Sequence, residues 1–328
     1  MNKHLVAMFA FFSFLCVTIN SQDIVPSQLA HTYSIVARDT ATGEMGVAVQ
    51  THWFNVGSRV PWAQAGVGAI ATQSFTNPSF GPRGLELLKL GKTAQEVVDE
   101  LIASDEGRDY RQLGVVDKFG NSASYTGKKC IYAAGNIAEE NFSVQANLML
   151  SDKVWSAMAE AFKTAKGNLA DRMLSALEAA QKEGGDIRGK QSAAMIVVKK
   201  EGSGKVWEDE VINLKIADHA EQLKELRRLL YVQKAYVHMN KGDEAIENNN
   251  FETAEKEYGK AIEIYHENLE IKYWYAVALA NAGKVEESIP LFREIFSKDE
   301  NWRTLTKKLP ESELLKVSQE DLDIILLP

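Results

Sequence analysis

The order of strand and helix patterns is the feature that most constrains what this chain can fold into. Between His31 and Asp218, groups of β-rich runs alternate with pairs of helical runs: strands, two helices, strands, two helices, then strands again. A doubly wound parallel fold would instead alternate one strand with one helix. Helices that come in pairs between groups of strands favour an α+β fold with sheets inside and helices outside. We therefore predict a layered sandwich over this region.

Turns and helix caps make this prediction more specific. "TYSIVARD" and "GEMGVAVQT" are joined by "TATG", and "QLGVVD" and "SASYTG" are joined by "KFGN", so both pairs of β-rich runs are typical of hairpins. Thr93 has Glu96 three residues later, which is the pattern of a capping box at the start of a helix. Ser151 and Asn168 are expected to cap the two helices of the second pair.

The pattern becomes wholly helical after Asp218. A charged helix over 219–234 would connect the sandwich to the C-terminal part of the chain. Two 34-residue units, 235–268 and 269–302, precede a capping helix and tail over 303–328. This period is typical of tetratricopeptide repeats, in which each pair of helices buries an apolar face against its neighbour. We expect such a module to dock a protein or peptide partner. The repeated positions are Phe251, Ala254, Tyr258 and Ala261 in the first unit, and Val285, Ser288, Phe292 and Ile295 in the second.

Residues 1–21 resemble a secretory signal peptide. Lys3 and His4 give a short positive start, and "LVAMFAFFSFLCVTI" is an uncharged, mostly apolar run that is short for a bilayer span. Cleavage after Ser21 would make the protein secreted or periplasmic, with residues 22–31 as a pro-segment or N-terminal extension. An uncleaved membrane anchor is the alternative.

Composition and motifs exclude several function classes. A net charge of −8 disfavours nucleic acid as a partner, because phosphates require a basic surface. Cys130 is the one cysteine left after the signal peptide, which excludes an intrachain disulfide. The chain has no Walker loop, dinucleotide-binding glycine motif, HExxH or GxSxG, and its histidines lack the spacing of metal ligands. We therefore expect no cofactor and no dedicated metal site, although Asp117 and Asp186 could bind a calcium ion opportunistically.

Six short motifs carry a resemblance to a known family. They are "TYSIVARD", "GVGAIATQ", "TNPSFGPRGL", "GVVDKFGNSASYTG", "FSVQANL" and "GGDIRGKQSAA", and they follow one another between Thr32 and Asp218. This region, 32–218, resembles the bacterial family known as domain of unknown function 1028, which is assigned to the Ntn-hydrolase (N-terminal nucleophile) superfamily. The resemblance implies a four-layer αββα sandwich, in agreement with the order of strands and helices described above.

The resemblance also implies that Thr32 is a nucleophile, because it stands at the head of the first strand, where the superfamily keeps this residue. In that mechanism the α-amino group of the same residue, with a pKa of about 8, takes the proton from the hydroxyl. An amide nitrogen inside a chain is not basic, and signal cleavage would leave ten residues, "QDIVPSQLAH", before Thr32. Either the His31–Thr32 bond is cut as well, or Thr32 is an ordinary strand residue.

The resemblance assigns supporting roles to the turn "GGDIRGKQS". Asp186 would orient the terminal amine, and Ser192 or Gln191 would form a hydrogen bond to it. Arg188 would bind a substrate carboxylate through a bidentate pair. The alternative is a helix-capping turn with solvated charges.

A second group of candidates lies on or beside strands. Gln145 and Asn147 in "VQANL" share a face by the two-residue period, so their side chains, or the Asn147 amide, could stabilise an oxyanion. Gln73 and Asn77 are weaker candidates of the same kind. The alternative is that these polar groups pair with neighbouring backbone. "WAQAGVGAIAT" lacks the lysine of proteasome-type sites, which disfavours a proteasome-like peptidase and favours smaller amides.

Together these features predict a secreted Ntn-type amidohydrolase that hydrolyses a small amide or peptide-like bond and docks a partner through its repeats. The alternative is a non-catalytic binding or scaffold protein of the cell envelope that uses the same sandwich. The sequence leaves the oligomeric state open, and a homo-oligomer is compatible with it.

Overall fold

The computed structural model describes residues 29–30 and 32–327. The predicted signal peptide, residues 22–28 of the predicted extension and His31 lie outside the described residues. Cleavage after Ser21 and cleavage of the His31–Thr32 bond therefore stay predictions. None of the described helices is both long enough and apolar enough to cross a membrane.

Two antiparallel sheets form the centre of the described region. Their strands are β1 (Leu29–Ala30), β2 (Thr32–Arg38), β3 (Met45–Thr51), β4 (Pro61–Gln64), β5 (Gly68–Phe75), β6 (Arg111–Asp117), β7 (Ser122–Thr126), β8 (Gly135–Glu139), β9 (Phe142–Ala146), β10 (Ser192–Val198) and β11 (Glu210–Ile216). A five-stranded sheet has the order β1-β5-β6-β7, with β4 also paired to β5. A six-stranded sheet has the order β11-β10-β3-β2-β9-β8. The two predicted hairpins are confirmed as β2–β3 and β6–β7.

Four helices form two pairs within the sandwich, one short helix lies alone between β10 and β11, and the remaining helices follow the last strand. They are α1 (Phe80–Lys89), α2 (Ala94–Ala103), α3 (Val154–Thr164), α4 (Leu169–Lys182), α5 (Val206–Asp209), α6 (Gln222–Glu247), α7 (Phe251–Ile264), α8 (Leu269–Asn281), α9 (Val285–Lys298), α10 (Asn301–Thr306) and α11 (Gln319–Ile325). The predicted caps Thr93 and Asn168 are confirmed, and each forms a capping box. The prediction for Ser151 is wrong. Its hydroxyl accepts a hydrogen bond from Lys153 N and closes a turn, so that α3 begins only at Val154.

The two sheets pack face to face, and helices cover their outer faces. In β2, Val36 packs between the sheets, whereas Ile35 and Ala37 face the helices, as the two-residue period requires. Helices α1 and α2 pack against the five-stranded sheet, and α3, α4 and α6 pack against the six-stranded sheet. The mixed α+β class predicted from the order of elements is therefore confirmed.

The chain passes from one sheet to the other immediately before Thr32. In β1, Leu29 pairs with Phe75 and Ala30 with Ser74, so this short strand extends the five-stranded sheet. The next strand, β2, begins at Thr32 in the interior of the six-stranded sheet, between β3 and β9. Thr32 therefore lies at one end of the interface between the sheets.

An all-helical region comes after the sandwich, as the sequence predicted. The helix α6 is continuous over 26 residues, so the predicted connector and the first helix of the predicted repeats form a single element. It packs against α7, where the ring of Tyr258 lies over Gly242, and α8 packs against α9.

Glu257 on α7 should make the stability of this helical region depend on pH. Its pKa falls to about 2, from an ordinary value of 4.5, because Lys260 and His238 form hydrogen bonds to its carboxylate. A carboxyl group whose pKa is lower in the folded state adds stability above its unfolded pKa and loses it as the pH falls through the folded pKa. We expect Glu257→Gln to lower the free energy of unfolding by about 1 kcal/mol at pH 7, and by much less near pH 2.

Urea denaturation followed by circular dichroism at the two pH values measures this difference. Glu263→Gln, at an exposed position of the same helix, is the matched control and should change stability little at either pH. Equal losses for Glu257→Gln at both pH values would show that the carboxylate is not held by Lys260 and His238.

Candidate active site

Three hydroxyl residues stand in one row at the end of the six-stranded sheet. Thr32 of β2 lies directly opposite Thr51 of β3, and Thr51 lies directly opposite Ser192 of β10. Residues paired in this way point to the same face of a sheet. This face looks towards the five-stranded sheet, because Val36, an even number of residues after Thr32, packs between the sheets. All three hydroxyl residues are buried, so the row lies inside the sandwich.

The carbonyl oxygen of Thr32 is held from both sheets. It accepts hydrogen bonds from Asn147 N at 3.1 Å and from Asn147 Nδ2 at 3.4 Å, just beyond the end of β9. It also accepts a hydrogen bond from Gln73 Nε2 of the five-stranded sheet, at 3.1 Å. These three donors fix the position of Thr32 at the point where the chain changes sheets.

Three buried glutamines link the sheets through a continuous hydrogen-bond network. Gln73 Nε2 donates to Gln112 Oε1 at 2.7 Å, and Ser34 Oγ donates to Gln73 Oε1 at 2.6 Å. Gln145 Nε2 donates to Ser34 Oγ at 2.6 Å. Gln112 Oε1 also accepts from Asn147 Nδ2 at 2.8 Å, so the network includes one of the groups that hold the Thr32 carbonyl. Such bonds are strong between the sheets, because the interior has a low dielectric constant.

Gln112 lies at the centre of this network, and the sequence patterns did not point to it. Its Nε2 donates to Thr126 Oγ1 at 2.8 Å and to two backbone carbonyls of the six-stranded sheet. A signal was nevertheless present, because Gln112 shares a face with Gly114 and Val116 by the two-residue period of "QLGVVD". Gly114 makes room for the network, since a Cβ atom there would lie 2.2 Å from Gln145 Oε1.

Asp186 is a buried carboxylate in the turn before β10. It accepts hydrogen bonds from His52 N at 2.9 Å and from Arg188 N at 3.0 Å. The Arg188 guanidinium binds it through Nε at 3.0 Å and Nη2 at 2.7 Å. This Nη2 also lies 3.4 Å from Thr51 Oγ1, in the hydroxyl row. The guanidinium N–H groups of Arg188 that were predicted to bind a substrate carboxylate therefore bind the Asp186 carboxylate in this structure.

Tyr33 connects the site to the opposite face of the six-stranded sheet. It follows Thr32, so its side chain points towards α4, where its hydroxyl donates to Gln181 Oε1 at 3.1 Å. Burial raises the pKa of Tyr33 well above its ordinary value of 10, and the negative charge of Asp186 raises it further. The phenol is therefore neutral at physiological pH and acts as a hydrogen-bond donor.

The remaining predicted residues have different surroundings. Ser192 Oγ donates to Trp53 O at 2.5 Å and so binds the loop after β3. Gln191 contributes its backbone, with its N–H donating to the last carbonyl of β3 at 3.2 Å. Asn77 lies apart from the network, where its Nδ2 donates to Asp105 Oδ2 at 2.9 Å. The predicted residues that the structure brings together at the end of the sheets are Thr32, Gln73, Gln145, Asn147, Asp186, Arg188 and Ser192.

Asp117 and Cys130 have structural partners. Asp117 closes the turn between β6 and β7 by accepting hydrogen bonds from the N–H groups of Phe119 and Asn121. Cys130 is a half-buried free thiol whose pKa is raised by burial. Within the residues that the structure describes, no group of three or more His, Cys, Asp or Glu side chains is arranged to hold a metal ion.

The fold and the site define a class of protein: a double antiparallel sheet covered by helices, with a buried polar site where the chain passes between the sheets. A family model described as a family of unknown function, DUF1028, matches residues 32–226, and the chain belongs to this family. The match begins at Thr32 and ends in the first turns of α6. The rest of the helical region lies outside it.

A solved structure from this family has a similar fold. The crystal structure of protein SPO2555 from Silicibacter pomeroyi, also assigned to DUF1028, matches this chain with a TM-score of 0.55 and 29% sequence identity. The similarity covers 61% of this chain and 88% of that chain. No curated protein matches the chain. The family predicted from the six sequence motifs is therefore confirmed.

Gly114→Ala should disturb the network without changing any charge. An alanine Cβ would lie 2.2 Å from Gln145 Oε1 in a fully buried layer, so either the carboxamide or the strand must shift. We expect a loss of about 1–3 kcal/mol in the free energy of unfolding, as for other overpacked interiors.

Chemical denaturation measures the loss. The control is Gly259→Ala on α7, where nothing lies within 4 Å of the added Cβ, and it should stabilise the protein by up to about 1 kcal/mol. If Gly114→Ala were as stable as the unaltered protein, the Gln145 carboxamide would not be held where the network places it.

Proposed function

We propose that this protein is an Ntn-type amidohydrolase with Thr32 as its nucleophile. The observation that carries the proposal is the position of Thr32. It is the first residue of an interior strand, it is buried at one end of the interface between the sheets, and the chain changes sheets there. The family match begins at the same residue. The packing of helices, sheet, sheet and helices supports the αββα sandwich of that superfamily.

The proposed reaction needs a free α-amino group on Thr32. After cleavage of the His31–Thr32 bond, this amine would take the proton of the Thr32 hydroxyl while Oγ attacks the carbonyl carbon of an amide substrate. The leaving amine would receive the proton, and water would then hydrolyse the ester to release a carboxylic acid and restore Thr32. Attack by the same hydroxyl on the carbonyl carbon of His31, followed by hydrolysis, would account for the cut itself.

The groups around Thr32 support this role. Asp186 is a buried carboxylate that accepts a hydrogen bond from His52 N, one residue after the end of β3. Because β3 pairs with β2, which begins at Thr32, this carboxylate would hold a terminal amine on Thr32 in place. Asn147 donates two hydrogen bonds to the Thr32 carbonyl and so would hold the proposed nucleophile in position; for it to stabilise an oxyanion, as the sequence suggested, one of these donors would have to change partner. We infer that the substrate is a small amide or peptide-like molecule.

We also propose that the C-terminal helices are tetratricopeptide repeats that dock a protein or peptide partner. Phe251 and Val285, which begin α7 and α9, are 34 residues apart, as are Glu247 and Asn281, which end α6 and α8. Contacts between α6 and α7, α7 and α8, and α8 and α9 follow the order of the chain, as in stacked repeats. We further infer that residues 1–21 direct export, which would make the protein secreted or periplasmic.

The mature N-terminus and the variant Thr32→Ala test the enzymatic proposal. Mass spectrometry of purified, active protein should find a chain that begins at Thr32. Thr32→Ala should keep the His31–Thr32 bond intact and lower kcat on aminoacyl p-nitroanilides and related amides by at least about a thousandfold, because it removes the nucleophile.

Thr164→Ala, at an exposed position on α3, is the matched control and should process and react normally. Active material that begins near Gln22, or a Thr32→Ala variant with full activity, would require another nucleophile.

A second candidate is a non-catalytic binding or scaffold protein of the cell envelope. One observation favours it. The carboxamides of Gln73, Gln112 and Gln145 are hydrogen-bonded to other groups of the protein, so the polar interior has a structural role that requires no substrate. For this candidate we expect no turnover of any amide, even by a chain that begins at Thr32.

A further inference from the structure

The strand β1 shows how an extended chain approaches the bond before Thr32. Leu29 pairs with Phe75, and Ala30 pairs with Ser74, in antiparallel register. A single residue then connects β1 to Thr32. Because two residues of an extended chain span at most about 7 Å, the paired backbone lies next to the candidate nucleophile. The backbone of β1 therefore leads directly to the bond that the proposed mechanism cuts.

The end of β5 presents a backbone edge to an incoming chain. The strand runs from Gly68 to Phe75, but its neighbour β4 pairs only with the part from Gly68 to Ala71. The opposite edge of β5 is occupied by β6, which pairs with it as far as Ser74. Within the part of the chain that the structure describes, β1 is the one strand that pairs with Ser74 and Phe75 on the β4 side. A strand edge without its partner is a template for another extended chain.

This end of β5 is held in a fixed position relative to Thr32. Gln73, the residue before the paired edge, donates through Nε2 to the Thr32 carbonyl at 3.1 Å. The Phe75 carbonyl accepts a hydrogen bond from Arg111 Nη1 at 2.5 Å. Ser74 has a φ of 71°, a left-handed conformation that is uncommon for residues other than glycine and that clusters at functional sites. An edge fixed in this way loses little conformational freedom when a chain pairs with it.

The uncut chain is a model of a bound substrate, because one hydroxyl would act in both reactions. In self-cleavage, Thr32 Oγ would attack a carbonyl carbon whose acyl side continues into β1. In hydrolysis, the same oxygen would attack the substrate carbonyl carbon from the same position. After the cut, β1 would be attached only through the pairing of two residues, which is too short to be stable by itself. A substrate could then take its place.

We propose that the substrate is a peptide-like amide whose acyl side pairs with β5 at Ser74 and Phe75 as an extended strand. This inference rests on the proposed function, because it needs Thr32 as the nucleophile. Such strand addition holds a peptide mainly through hydrogen bonds of its main chain. The site therefore requires two residues before the one whose carbonyl is attacked, and a simple amide without them is a poor substrate.

Hydrolysis of two p-nitroanilides by the processed chain that begins at Thr32 tests the inference. Acetyl-leucyl-alanyl-histidyl p-nitroanilide repeats residues 29–31, and acetyl-histidyl p-nitroanilide has the same leaving group and the same residue at the cleaved bond. We expect kcat/KM to be at least about tenfold higher for the longer substrate, because it adds hydrogen bonds to β5. Equal values, or hydrolysis of neither substrate, would overturn this inference. The proposed function fails only if every other aminoacyl p-nitroanilide also stays intact.

Two further substrates separate backbone pairing from recognition of side chains. Methylation of the leucyl and alanyl nitrogens in the longer substrate removes both N–H groups that can donate to β5, so kcat/KM should fall to the value for the short substrate. Acetyl-alanyl-alanyl-histidyl p-nitroanilide keeps both N–H groups without the leucyl side chain, and this control should react like the longer substrate. An undiminished rate after methylation would show that the acyl side does not pair with β5.

Discussion

The buried hydrogen bonds among carboxamides are the constraint on which the rest of the structure depends. A buried amide that loses its partner costs about 1–3 kcal/mol, so Gln73, Gln112 and Gln145 must keep theirs. Their partners come from both sheets, which fixes the register of β5 and β6 relative to β2 and β9. The Thr32 carbonyl is one of these partners. The same bonds that align the sheets therefore position the candidate nucleophile.

Most of the fold can be predicted from local patterns in the sequence. Alternation in "TYSIVARD" predicts two faces for β2, and Ile35 and Val36 do pack on opposite sides of the sheet. The capping pattern at Thr93 predicts the start of α2. The strand β1 could not be predicted in this way, because a two-residue strand has no period and its pairing depends on β5, which is distant in the chain. The start of α3 was misplaced because Ser151 closes a turn before the helix instead of capping it.

The candidate site was predicted less completely than the fold, because it depends on which side chains meet across the two sheets. Gln73 was predicted as a weaker candidate for stabilising an oxyanion, and the structure shows it bound to the Thr32 carbonyl. The face that Gln112 shares with Gly114 and Val116 indicates that its side chain is buried, but it does not show which groups it binds, and its importance depends on partners in the other sheet. Asn77, in contrast, was predicted as a site residue but lies apart from the network, because its carboxamide donates a hydrogen bond to Asp105.

Cleavage before Thr32 would change the electrostatics of the buried hydroxyl row. A peptide N–H is neutral, whereas a new α-amino group has an ordinary pKa of about 8 and is mostly charged at pH 7. Burial disfavours that charge, and a nearby carboxylate favours it. Asp186, which binds the residue after Thr51, would be that carboxylate in the proposed mechanism, but Arg188 already forms two hydrogen bonds to it, so the proposed amine would lose its proton more readily than one beside an unpaired aspartate. The neutral amine is the form that acts as a base. If Thr32 is the nucleophile, as we propose, the Asp186–Arg188 pair would suit base catalysis by its amine near neutral pH better than an unpaired aspartate would.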